Sequence, residues 1–111
     1  MASVTPTQFG QGNIATGTGT LVGTVKTGAT GIIKCIDVVN TSVGSINISV
    51  YLVPFQGTVG VTNAIVFTQA LASYARFQWT GTQVLPSGGF IQAIASATGC
   101  TITASGGLYV S

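Results

Sequence analysis

The sequence predicts an all-β protein, a single-domain antiparallel β-sandwich or small barrel of about seven or eight short strands. Three observations predict it. Runs rich in β-branched and aromatic residues recur with turn residues roughly every 8–12 positions. No stretch has the length and period of a helix. Of 111 residues, 46% are hydrophobic, enough apolar content for one core in a chain that buries about two-thirds of its unfolded surface.

Residues 1–18 are rich in Gly, Thr and Gln, and their apolar positions are widely spaced. This predicts an extended N-terminal arm, followed by a β-sandwich over 19–111. Within the arm, Thr5, Gln8 and Phe9 are candidate protein contacts. Thr16, Thr18 and Thr20 lead into Leu21, Gly23 and Val25, the first expected strand. Ile32–Asn40 is the second. Strict alternation places Ile33, Cys35, Asp37 and Val39 on one face and Ile32, Lys34, Ile36 and Val38 on the other. Both faces are mostly apolar, so this strand is expected at the centre of a sheet.

A turn over Thr41–Ser45 leads to the clearest alternation in the chain. Ile46, Ile48, Val50 and Leu52 lie on one face, with Asn47, Ser49 and Tyr51 on the other, and Pro54 ends the run. A Gly/Thr loop covers 56–63. Ala64–Phe67 reads as a short strand and Thr68–Tyr74 has some helical character. Tyr74–Trp79 alternates again, with Trp79 continuing the Ala75 and Phe77 face toward the core. Leu85-Pro86-Ser87-Gly88-Gly89 is a turn by composition. Phe90–Ala97 and Cys100–Ala104 are further strands, and Gly106-Gly107 marks a bulge or corner before Leu108-Tyr109-Val110.

Charge is the unusual feature. Lys26, Lys34, Arg76 and Asp37 are the only charged side chains, 4% of residues against a usual share of about 25%, and there is no His. With one carboxylate, no acid–base pair can form within the chain, and no Ser-His-Asp or Cys-His arrangement is available. An enzyme is therefore not expected. No cofactor or metal site is expected either: Cys35, Asp37 and Cys100 fall short of the four ligands of a structural zinc site, and Cys35 is expected in the core. Gly10-Gln11-Gly12 lacks the spacing and the Lys-Ser/Thr of a phosphate loop. Thr16-Thr18-Thr20 and Thr101-Thr103 share no constant repeat and read as strand-edge threonines.

Three scattered cations cannot neutralise a run of phosphates, so nucleic acid is not an expected partner. The N-terminus has neither the basic nor the apolar segment of a signal peptide, no apolar run reaches membrane-spanning length, and a membrane partner is not expected. Cys35 and Cys100 are expected as reduced thiols. Asp37 is expected to pair with Arg76 or Lys34, or to cap a turn. What remains is a surface of hydroxyls, amides and glycines: Gly, Thr and Ser supply 42 residues. Covering such groups costs less side-chain entropy and desolvation than covering Lys or Glu. The composition therefore predicts a subunit built to be covered by neighbours. Tyr51, Tyr74 and Tyr109 are the candidate aromatic contacts.

Four segments carry a family likeness. They are Ile32-Ile33-Lys34-Cys35-Ile36-Asp37-Val38-Val39-Asn40-Thr41-Ser42, Val50-Tyr51-Leu52-Val53-Pro54, Val84-Leu85-Pro86-Ser87-Gly88-Gly89 and Thr101-Ile102-Thr103-Ala104-Ser105-Gly106. Across roughly residues 20–110 the chain resembles the small Gly/Thr-rich all-β virion structural proteins of tailed bacteriophages. The resemblance implies a capsid cement or decoration subunit on the major capsid protein lattice, or a neck or tail accessory subunit. It also implies a homo-oligomer, a trimer in many relatives, located in the virion and assembled in the host cytoplasm. A receptor- or glycan-binding tail module and a self-assembling fibre or surface-layer subunit are the other classes compatible with the residues.

Overall fold

A computed structural model describes residues 3–17 and 19–110. Eight strands form in order: β1 (Ser3–Asn13), β2 (Thr20–Thr24), β3 (Ala29–Asn40), β4 (Ile46–Val53), β5 (Ala64–Leu71), β6 (Arg76–Leu85), β7 (Phe90–Ala95) and β8 (Cys100–Val110). A single 3₁₀ turn, Val61–Asn63, interrupts the β4–β5 loop. Two four-stranded antiparallel sheets result, ordered β1-β8-β3-β6 and β2-β7-β4-β5. The expected sandwich is the observed one.

The topology is that of one long hairpin rolled up. β4 pairs with β5, β3 with β6, β2 with β7 and β1 with β8, each antiparallel. The β3–β8 and β4–β7 ladders then close the two sheets. Nested pairing of this kind, eight strands in two sheets, is the jelly roll. The turns β1–β2, β3–β4, β5–β6 and β7–β8 gather at one end of the sandwich. β2–β3, β4–β5 and β6–β7 gather at the other.

The core sits between the sheets and is made of small branched side chains. Ile33, Ile36 and Val38 of β3 meet Ile48 and Val50 of β4, Ile91 and Ala93 of β7, and Ile102 and Ala104 of β8. All nine are at most 1% exposed. The larger Phe9, Phe77 and Trp79 pack at its periphery. Cys100 is buried and Cys35 half-buried, and both are free thiols.

Three expectations are corrected. The arm is a strand: Ser3–Asn13 pairs with β8 along its whole length, although Met1, Ala2 and Thr18 lie outside the described residues. Its Gly, Thr and Gln spacing hides an edge strand, because the edge needs few apolar side chains. The stretch Thr68–Tyr74 is not helical. β5 runs on to Leu71, and Thr68, at φ 52, makes a bulge whose N–H donates to Ser49 Oγ at 2.9 Å. Cross-strand pairing with β4 overrides the helix propensity of Gln69, Ala70 and Leu71.

The third correction concerns β3. Its register against both neighbours shifts between Ile33 and Cys35: against β8 Lys34 is the extra residue of a bulge, while against β6 the extra residue lies on β6, at Gly81–Thr82. The alternation flips there. Ile33, Ile36 and Val38 all face the core, while Lys34, Cys35 and Asp37 come to the outer face. Cys35 is therefore not a core residue. β3 is nevertheless central, as expected, between β8 and β6.

Candidate assembly surface

The outer face of the first sheet, β1-β8-β3-β6, is covered by no described element. Alternation along each strand decides what it shows. β8 contributes Thr101, Thr103 and Ser105, aligned with Val39, Asp37 and Cys35 of β3. On the other side of β3, Asp37 stands opposite Gln78 and Val39 opposite Arg76. β1 adds Gln8 opposite Ser105 and Val4 opposite Tyr109. Three of the four charged residues of the chain lie on this face, and Lys26 is exposed in the β2–β3 turn.

Those three are already engaged with neighbours. Arg76 Nε lies 3.3 Å from Asp37 Oδ1, within ion-pair distance but not aligned for a hydrogen bond. The Cys35 thiol donates to Asp37 Oδ2 at 3.6 Å, and Gln78 Nε2 donates to Cys35 Sγ at 3.5 Å. Lys34 Nζ donates to Thr82 Oγ1 at 3.1 Å. Both partners of the ion pair are partly exposed, so the pair stabilises the fold by no more than about 1 kcal/mol. Its larger effect is on the surface: Asp37 neutralises one cation, and hydroxyls and amides make up the surroundings. A shallow recess among them is lined by Pro6, Gln8, Lys34 and Ser105.

Among the described residues no three of His, Cys, Asp and Glu come together as metal ligands. The face can make apolar and hydroxyl contacts.

The expected contact residues scatter. Gln8 and Tyr109 lie on this face, Gln8 exposed and Tyr109 39% exposed. Thr5 is exposed but stands opposite core-packed Leu108, so it points to the other side of the sheet, and its carbonyl accepts from Thr7 Oγ1 at 2.8 Å. Phe9 is half-buried against the core, and a Cβ at Gly31 would sit 3.3 Å from its ring. Tyr51, on the second sheet, is buried at 7% exposure. Tyr74 is 66% exposed at the opposite end, in the β5–β6 turn, with φ 58. The sequence reading did not single out Thr101, Thr103, Ser105 and Gln78 as one surface with Asp37. The alternation of β8 was visible, but only the fold brings β8 and β6 to either side of β3.

No family model matches the chain, and no curated protein matches it. Solved structures do. A chain of the T13 viral particle of infectious bursal disease virus aligns with TM-score 0.55 and 14% identity, over 97% of this chain and 30% of that one. A chain from the structure of the Gx strain of the same virus aligns with TM-score 0.52 and 13% identity, over 98% of this chain and 32% of that one. This chain thus spans about a third of the length of those viral chains. At such identities the likeness establishes the fold alone: the rolled eight-strand sandwich also occurs within chains of a virus particle.

Proposed function

We propose that the chain is a non-enzymatic structural subunit of a virus particle. Within that class it is a cement or decoration subunit of a tailed bacteriophage, bound to the assembled major capsid protein lattice. The observation that carries this reading is the uncovered outer face of the first sheet, where a neutralised ion pair sits among threonines, serines and amides. The jelly-roll fold shared with chains of an icosahedral virus particle supports it. Binding that exists only on the assembled lattice stabilises the lattice by mass action, and many copies sum their contacts.

The test uses particles recovered from the source of the chain. Gold-labelled antibody against the chain should decorate their shells. Adding purified chain to particles stripped of it should restore the label and raise the temperature at which the shells rupture. Particles that never carry the chain would overturn the reading. Label confined to the neck or tail would favour the accessory-subunit alternative, for which Tyr74, exposed on the β5–β6 turn, is the first residue to test.

A further inference from the structure

A sandwich of two open sheets has four edge strands, here β1, β2, β5 and β6. A free edge offers a row of unpaired N–H and C=O groups to any other strand, and proteins ordinarily blunt it. Three of these four are blunted. β1 carries Pro6 and a bulge between Gln8 and Gly10. It is also pressed against β2, where a Cβ on Gly10 would collide with the Val22 carbonyl and one on Gly23 with the Phe9 carbonyl. β2 is five residues long and bulged. β5 is broken by Thr68 at φ 52 and by two register shifts against β4.

β6 is the least blunted of the four: one extra residue at Gly81–Thr82 shifts its register against β3, but no residue along it has left-handed backbone. It runs ten residues, contains no proline, and from Phe77 to Leu85 carries no charge. Five successive residues, Thr80 to Val84, are exposed. Half-buried Phe77 and Trp79 lie along it, with Val84 62% and Phe67 of neighbouring β5 58% exposed. A recess of about 390 Å³ opens beside its end, lined by Leu52, Ile65, Val84 and Leu85 among others. The closed β1/β2 flank and the open β5/β6 flank are thus chemically opposite.

We infer that β6 pairs antiparallel with β6 of a second copy of this chain, joining two first sheets into one eight-stranded sheet across a two-fold axis. A second copy fits for three reasons. An antiparallel edge is complementary to itself about an axis perpendicular to the sheet, which makes the contact isologous and closed at two. The one charge on the strand, Arg76, lies at its end, so the axis carries the two guanidinium groups far apart. The flank measures about 33 Å along ten residues, and with the 19 Å smallest extent of the molecule it gives roughly 600 Å² a copy, near the lower bound of specific interfaces. Pairing also consumes the least protected edge, so assembly through strands stops there. This inference does not rest on the virion reading, because it is tested on the purified chain alone.

The experiment is sedimentation velocity over a concentration series, with hydrogen exchange on the same samples. A monomer–dimer equilibrium is expected, with amides of Phe77–Val84 gaining protection as dimer forms. Thr80→Lys with Thr82→Lys places like charges across the axis and should weaken dimerisation at least tenfold, while Thr98→Lys in the β7–β8 turn should leave it unchanged. Were the double variant to misfold, the exchange pattern of the native chain decides. A chain monomeric at all concentrations, a trimer or open-ended polymer, or concentration-dependent protection on β1, β2 or β5 instead of β6 would overturn the inference.

Discussion

Asn40 is fully buried, yet its side chain serves two of the turns at one end of the sandwich. Nδ2 donates to the carbonyls of Gly44 at 2.7 Å, Ala72 at 3.1 Å and Leu71 at 3.2 Å, while Oδ1 accepts from Ser42 N and Ser42 Oγ. Removing a buried donor leaves its acceptors short of partners, at about 1–3 kcal/mol per group lost. Asn40→Ala should therefore lower stability by about 2–3 kcal/mol. Asn40→Asp, nearly identical in shape, should cost more, since it turns a carboxylate oxygen toward three carbonyl oxygens. Urea midpoints of the two variants decide, and an aspartate variant as stable as the alanine one would contradict the assignment. The cysteines give a second test at this scale. Burial pushes the Cys100 thiol up. The folded state therefore keeps a proton that the unfolded chain releases once the pH passes the ordinary thiol range. The resulting stability is present below that range and lost as pH rises through the folded value. Native protein should lose stability at alkaline pH more steeply than Cys100→Ala, as read by urea unfolding across the thiol range. In the folded chain a maleimide should label half-buried Cys35 well before Cys100.

At the scale of elements, β4 and β3 explain what was legible and what was not. β4 keeps strict alternation from Ile46 to Val53, so its faces could be read directly from the residues. β3 is as rich in β-branched residues, but the extra residue Lys34 shifts the period midway. A bulge leaves no mark in composition, and alternation read straight through it assigns Ile33 and Cys35 to one face when they occupy opposite ones. β1 was hidden for a different reason. Its contacts are backbone pairing with β8, a close backbone approach to β2 and one packed ring, Phe9, so a sequence of Thr, Gly and Gln suffices. Because β1 is a paired strand, truncating it tests folding. Removing residues 1–13 uncovers the β8 edge and the core beside Phe9. Thermal unfolding should then shift well below that of the full chain, with aggregation through the new edge. A truncated chain that melts with the full-length one would show β1 to be dispensable.

At the scale of the whole molecule, the near absence of charge could be read from composition, and so could its consequence, a surface that is inexpensive to cover. Which surface could not be read. Four edge strands and two sheet faces exist only once β1 has joined β8 and β3 has joined β6, pairings between residues as far apart as Ser3 and Val110. The topology separates a flank closed by Gly10 and Gly23 from one left open along β6. Composition and topology together make a quantitative demand on any assembly of this chain. Association driven by ion pairs weakens as salt screens them, with a Debye length of about 10 Å at 0.1 M. Here one internally paired carboxylate and a net charge of +2 leave almost nothing to screen except a slight mutual repulsion. Raising sodium chloride from about 50 mM to about 500 mM should change the self-association constant by less than about threefold. Sulfate, which is excluded from protein surface, should strengthen association. Sedimentation at matched protein concentration measures both. A tenfold loss of association in sodium chloride would mean that Lys34 or Arg76 makes the contact, and would move the interface from strand edge and hydroxyl face to the few charged side chains.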